Sequence, residues 1–322
     1  MKFDVLVNPG GAGGKTLAFW KEIESCFIGV DYEVHFSTLD HGISAITNEL
    51  TSQSREVNLI IVGGDGSMNE AVNGIADFSR VRLGLIPSGS ANDLAKDIGI
   101  AGDTRQQIST ILEGTIKRSI DVGEVILHNR SSVIDPLTLK EDPHTYQDET
   151  RLRFNVSAGI GWDAEICRCV QVSPLKKVLN RIHLGKLIYI AEAVRTVFAM
   201  NTFHCDVKAD EKPLTYDRCV FCAVMNHKYE GGGFMFGPHA RNDDGILDLC
   251  AVNDVTPFDF FRMFPKAYKG RQFESRFAFE TRASSFRFKT DRPVWVHTDG
   301  EISCKSSDVT IHLQKEKLNL LF

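Results

Sequence analysis

From residue 3 to residue 122, short apolar runs alternate with stretches whose apolar residues recur at helical spacing. Phe3 to Val7, Tyr32 to Phe36, Val57 to Val62 and Arg82 to Ile86 read as strands, and Lys15 to Phe27, Ile43 to Ser52 and Glu70 to Ile75 as helices. Such alternation predicts an α/β domain, a doubly wound parallel sheet covered by helices on both faces, over residues 1–122. After that the period changes. Val122 to Leu127, Leu152 to Ala158, Phe203 to Lys208, Arg218 to Asn226, Ile246 to Val252, Ser284 to Lys289, Val294 to His297 and Val309 to Leu313 read as strands with few helices between them. The second domain, over residues 123–313, is therefore expected to be all-β, a β-sandwich.

Composition narrows the class. A chain of 322 residues, 43% hydrophobic and 25% charged, is long enough for two domains with their own cores. Its net charge of −5 opposes a nucleic-acid partner, which requires a basic face, although local basic patches remain compatible with it. No apolar run reaches the ~18 to 20 residues that span a bilayer, and the first residues lack the pattern of a signal peptide. A cytoplasmic protein is expected, with any membrane contact peripheral. Among the eight cysteines, Cys167-Arg168-Cys169 has the wrong spacing for zinc. Cys219 and Cys222 sit in an apolar run without a second ligand pair, so core packing is expected for them.

Ligands of open parallel sheets bind at the carboxyl ends of the strands. Three such ends carry unusual loops. The first is Asn8-Pro9-Gly10-Gly11-Ala12-Gly13-Gly14-Lys15-Thr16, which fails the P-loop template because Pro9 stands where glycine is needed. The second is Gly63-Gly64-Asp65-Gly66-Ser67, between a strand and a helix. Its glycines let the backbone turn tightly and let phosphate approach its N–H groups. A carboxylate there would repel phosphate unless it holds a metal, so the loop reads as a site for a nucleotide with Mg²⁺ or as a turn whose Asp65 caps a helix. The third is Pro87-Ser88-Gly89-Ser90-Ala91-Asn92-Asp93, where Asn92 and Asp93 read as helix caps or as a second acidic strand end.

Residues 128–151 read as a solvated polar hairpin or loop. In Ser173 to Met200, Lys176, Lys177, Arg181, Lys186 and Arg195 punctuate apolar residues at helical spacing, a composition that fits a solvated helix packed on the sandwich or one lying on an anionic membrane surface. Two acidic clusters follow. Arg241-Asn242-Asp243-Asp244-Gly245-Ile246 offers a carboxylate and carbonyls beside a glycine turn, suited to a hard cation or to a strand-entry turn. In Val294-Trp295-Val296-His297-Thr298-Asp299-Gly300-Glu301 a strand delivers two carboxylates across a glycine, with His297 expected to be structural.

Taken together, Asn8-Pro9 with its glycines, Gly63-Gly64-Asp65-Gly66-Ser67 with Asn69-Glu70 and Asn73-Gly74, and Pro87 to Asp93 resemble the diacylglycerol kinase catalytic-domain family of lipid kinases. Ile120-Asp121-Val122-Gly123, Asn155 to Ala164 and Asp299-Gly300-Glu301 match later landmarks in order, so the resemblance covers nearly the whole chain. Serines stand at Ser67 and Ser90 where threonine is commoner, and the first loop holds extra glycine.

The resemblance implies a nucleotide-binding fold shared with NAD kinase and phosphofructokinase, an active site in a cleft, and a tail near residues 314–322 that returns to the first domain. It implies ATP and Mg²⁺, with the triphosphate held by Gly64, Gly66, Ser67, Gly89, Ser90 and Asn92, and the first loop fixed by Asn8. Mg²⁺ would be positioned by Asp65 and Asp93, with Asp121 joining through water. A structural Mg²⁺ would map to Asp244 and the carbonyls of Arg241 and Ile246. Asp299 would be the general base for a lipid hydroxyl, with Glu301 assisting it or the metal and Asp65 as the rival base. Homodimers are common among such relatives. The alternatives are an NAD kinase-like soluble kinase and a non-catalytic nucleotide- or lipid-binding regulator. Against the first, the Pro87–Asp93 loop and the 299–301 turn fit lipid kinases better; against the second, Asp65 and Asp299 are both retained.

Overall fold

The strand Val57–Gly63 is buried at every position, which is why it is apolar apart from Asn58 rather than alternating: it is covered on both faces. The computed structural model, which describes residues 1–89, 92–100, 103–135, 140–173, 187–231 and 233–322, divides into Met1–Val122 with Lys315–Phe322, and Gly123–Gln314.

In the first unit the sheet order is Asp31–Phe36, Lys2–Val7, Val57–Gly63, Val81–Pro87, Leu318–Leu320, Arg118–Ile120. All neighbours pair in parallel except the last two. This is the expected doubly wound sheet. The order sets the carboxyl ends of Lys2–Val7, Val57–Gly63 and Val81–Pro87 side by side, so the three glycine-bearing loops share one edge. The tail is a structural member of this sheet: Leu318, Leu320 and Leu321 are fully buried, and Ser119 Oγ donates to Asn319 Oδ1 at 2.7 Å. Asp4, buried within the first strand, is met by His35 and Arg55, each at 3.1 Å, as a buried carboxylate must be.

The second unit is antiparallel. Its long strands Lys212–Met225, Ser285–Thr298 and Glu301–Leu313 each serve more than one set of neighbours. Ser285–Thr298 pairs with Phe203–Ala209 along its first part and with Ser157–Gly161 along its second. The sequence reads two strands there because charged residues at Asp291 and Arg292 interrupt the apolar pattern; the backbone runs through. The result is the β-sandwich arrangement, folded over a core that includes Phe154, Phe203, Phe286, Phe288, Val207 and Ile311. On Lys212–Met225 the side chains of Cys222 and Val224 enter this core, while those of Phe221, Ala223 and Met225 face a helical layer. That layer contains Trp162, Ala193, Val197, Phe260 and Met263. All eight cysteines are free, and all but Cys26 are buried. No described helix is long and apolar enough to cross a membrane. Residues 128–151 include the antiparallel pair Arg130–Ile134 and Glu141–Tyr146. Of the basic segment, Lys176, Lys177, Arg181 and Lys186 lie outside the described residues.

Candidate active site

In the first unit, Gly64 alone separates the strand Val57–Gly63 from the helix Asp65–Gly74. Spacing predicts that helix from Glu70. It begins instead at Asp65, so Gly66 and Ser67 lie in its first turn and its positive end sits at the strand edge. Ser67 is buried against Gly63, where a Cβ would come within 2.5 Å of the serine side chain.

Gly64 and Gly89 meet main chain to main chain. A Cβ on Gly64 would stand 2.9 Å from the Gly89 Cα, and one on Gly89 would stand 2.6 Å from the Gly64 Cα. Any other residue pair would push the two loops apart. Ser88 N donates to Gly63 O at 2.8 Å, and the hydroxyls of Thr16 and Ser88, 3.3 Å apart, tie in the first loop. Asn8 Oδ1 accepts from Gly10 N at 3.0 Å, fixing the start of that loop. Ser90 lies outside the described residues.

Asp65 caps a helix, but the neighbouring one. Its two oxygens accept from Asp93 N at 3.0 Å and Leu94 N at 3.3 Å, at the start of Asp93–Asp97. Asp93 and Asp121 are both buried and each engages a lysine at 2.8 Å, Lys96 and Lys317 respectively. The lysines place positive charge beside both carboxylates. Asn92 adopts a left-handed conformation, φ 51°, with Nδ2 donating to Gly89 O at 2.8 Å and Oδ1 buried without a partner. Oxygen donors suit a hard cation, and the Asp65 carboxylate and the Asn92 side-chain carbonyl are such donors among the described residues.

In the second unit, Asp299 and Gly300 form a two-residue hairpin loop, both with positive φ, 51° and 82°. The apolar run Leu152 to Ala158 reads as one strand, yet it divides into Thr150–Phe154 and Ser157–Gly161. Asp299 occupies the break. Its Oδ2 accepts from the backbone N of Asn155 at 2.9 Å and from Asn155 Nδ2 at 3.3 Å, and its Oδ1 from the amides of Val156 and Ser157 at 2.8 and 3.1 Å. Four donors fill the lone-pair sites of one carboxylate. The carboxylate expected as the base also locks the loop. Glu301, one residue beyond the turn, is exposed and accepts from Gln171 Nε2 at 2.7 Å.

Beneath the turn lies a buried acid–imidazole cluster that no sequence pattern announces. His297, expected to be structural, is fully buried; its Nε2 is 2.8 Å from Asp163 Oδ2 and 3.3 Å from Glu230 Oε1, and its Nδ1 accepts from Gly300 N at 3.1 Å. Burial opposes charging the imidazole, but Asp163 and Glu230 outweigh it and push its pKa up to about 9. The Gly300 amide works the other way, since a protonated Nδ1 would face a second donor. Burial, helped by Asp163, raises Glu230 to about 8. The cluster therefore holds at least one excess proton at neutral pH, shared between the imidazole and the Glu230 carboxylate.

At the turn expected to hold a structural cation, the carboxylates meet an arginine. Asp244 Oδ1 accepts from Ile246 N at 3.1 Å, and Arg282 reaches Asp244 Oδ2 at 2.8 Å and the buried Asp248 at 3.2 Å. Arg241 leans on Asp243 at 3.3 Å. The Ile246 N–H faces Asp244, and the guanidinium supplies positive charge beside both carboxylates.

Comparison with known proteins follows the same division. Residues 2–125 match the diacylglycerol kinase catalytic domain and residues 156–322 the YegS C-terminal NAD kinase beta sandwich-like domain. A diacylglycerol kinase of Bacillus subtilis is 26% identical over 250 residues, 77% of this chain and 72% of that one. A solved structure from Bacillus anthracis str. Sterne superposes with TM-score 0.73 at 22% identity, covering 100% of this chain and 97% of that one. An NAD kinase from Archaeoglobus fulgidus, solved in complex with ATP, shares the fold at TM-score 0.50 and 11% identity, with 100% and 94% coverage. The chain belongs to the diacylglycerol kinase catalytic-domain family of lipid kinases.

Proposed function

We propose that the chain transfers the γ-phosphoryl group of ATP to a hydroxyl of a lipid such as diacylglycerol, with Mg²⁺. The observation that carries the reading is the contact of Gly64 with Gly89, which leaves main-chain groups rather than side chains where two adjacent strands end. Backbone amides and a helix start at such an edge favour a polyphosphate. Gly64, Gly66 and Ser67 would line the phosphates from one loop and Gly89 and Asn92 from the other, with Asn8 holding the third. Mg²⁺, held by Asp65 and the Asn92 carbonyl, would supply charge neutralisation at the transferring phosphoryl group.

For the acceptor, the proton of the attacking hydroxyl must leave as its oxygen bonds to phosphorus and ADP departs. Asp299, saturated by four donors, is poorly placed to take it. Glu301 is exposed beside it, so we assign proton acceptance to Glu301 and the shaping of the turn to Asp299. His297 supports the turn from below through Gly300 N.

The test is to incubate the purified chain with γ-labelled ATP, Mg²⁺, a panel of micellar lipid alcohols and NAD, and to separate the products. Label in a lipid is expected. Label in NAD alone would replace this reading by an NAD kinase, and nucleotide binding without transfer would make the chain a regulator.

A further inference from the structure

The helix Pro257–Ala267 is apolar on both sides. Phe260, Met263 and Ala267 are buried against the sandwich, as a packed helix requires. Its other side exposes Phe258, 68% accessible, and Phe261, 40%, with Tyr268 at 57% just past its end. Phe198, 75% accessible in the neighbouring turn, lies 6.1 Å from the Phe261 ring and extends the patch. Isolated exposed aromatics need no explanation; a contiguous group of them does.

Charge identifies the occupant. Residues 257–276 carry Arg262, Lys266, Lys269, Arg271 and Arg276 against two acids, Asp259 and Glu274, in a chain whose net charge is −5; Glu274 meets Arg271 at 2.6 Å and Lys266 at 3.8 Å. Asp259 is spent on capping the helix through Thr256, and Arg262 lies over the Phe258 ring at 5.2 Å. Exposed aromatics on a segment with an excess of basic side chains are the chemistry of an anionic bilayer surface: rings enter the headgroup boundary and cations meet lipid phosphates. We propose that this face, centred on Phe258 and Phe261, docks the protein on an anionic membrane. The choice of a membrane rests on the lipid-kinase reading, since a diacylglycerol acceptor resides in a bilayer.

The test is flotation of the full chain with vesicles of phosphatidylcholine alone or with phosphatidylglycerol added, comparing wild type, Phe258→Ser/Phe261→Ser and Lys266→Glu/Lys269→Glu. Wild type should float with the phosphatidylglycerol vesicles, and each double variant should bind at least about tenfold more weakly. Phosphorylation of a short-chain, monomeric diacylglycerol should stay within about twofold, because these side chains lie outside the proposed machinery. Unchanged vesicle binding by the variants, or equal wild-type binding to both vesicle types, overturns the proposal. A concentration-dependent wild-type dimer in sedimentation velocity that both variants abolish would assign the face to a second copy and overturn it as well. Loss of vesicle binding in the variants, with no lipid phosphorylated by wild type, would uphold the docking face and sink the kinase reading.

Discussion

Asp299 Oδ2 accepts both the backbone N–H and the side-chain amide of Asn155, at 2.9 and 3.3 Å. With Val156 and Ser157 on the other oxygen, four donors meet this one carboxylate, whereas Glu301, the other acid of the turn, accepts from Gln171. Asp299→Asn turns one acceptor into a donor that faces backbone N–H groups. The variant should lose about 1 to 3 kcal/mol of stability, seen as a lower thermal midpoint, together with its activity. Glu301→Gln should keep the wild-type midpoint.

The acidic cluster under the turn gives a pH signature. Glu230 and His297 both have raised pKa values, about 8 and 9 against ordinary values of 4.5 and 6.5. Between the ordinary and raised values the folded chain holds more protons than the unfolded one, so stability must fall as pH rises. Their contribution is fully present below the unfolded values and lost on passing about 8 to 9. One excess proton corresponds to a slope of about 1.4 kcal/mol per pH unit. Denaturant titrations at pH 6, 7 and 8 should show this decline, and Glu230→Gln should flatten it; a rising wild-type profile would contradict the assignment.

Arg282 meets Asp244 at 2.8 Å and Asp248 at 3.2 Å, which gives these carboxylates a cation of the chain's own. Wild type should therefore melt at the same temperature with and without a chelator. Arg282→Ala should cost about 1 to 2 kcal/mol, tempered by the partial exposure of the arginine, because it leaves buried Asp248 unpaired. Added Mg²⁺ should restore part of that loss in the variant alone. Chelator-sensitive melting of wild type would return the site to a cation.

The close approach of Gly64 and Gly89 predicts that Gly89→Ala separates the two loops. The ATP-induced rise in thermal midpoint should largely vanish. Equal rises in wild type and variant would remove the cradle from the nucleotide site.

Periodicity revealed the sheet of the first unit because strands such as Val57–Gly63 are buried on both faces, and a succession of strand-like runs with few helices between them, such as Phe203–Ala209, revealed the sandwich. The start of the helix at Asp65 was hidden by the polar and glycine residues of its first turn, whose propensity is overruled by the strand edge that precedes it. The break at Asn155–Val156 was equally hidden, since the residues there look strand-like and the cause, Asp299, is remote in sequence. Partners of the candidate residues were the least legible. Nothing around Glu230, Arg282 or Lys317 marks them as the groups that meet His297, Asp244 and Asp121. Such pairings depend on how strands and loops are brought together, which spacing along the chain does not encode.

The most direct measurement is single-turnover transfer from γ-labelled ATP to diacylglycerol in mixed micelles by wild type and Glu301→Gln. The account predicts labelled lipid with wild type, and a rate lower by about 10² to 10⁴ with the variant at unchanged ATP affinity. Wild type that labels no lipid, or a variant that labels it at the wild-type rate, would contradict it.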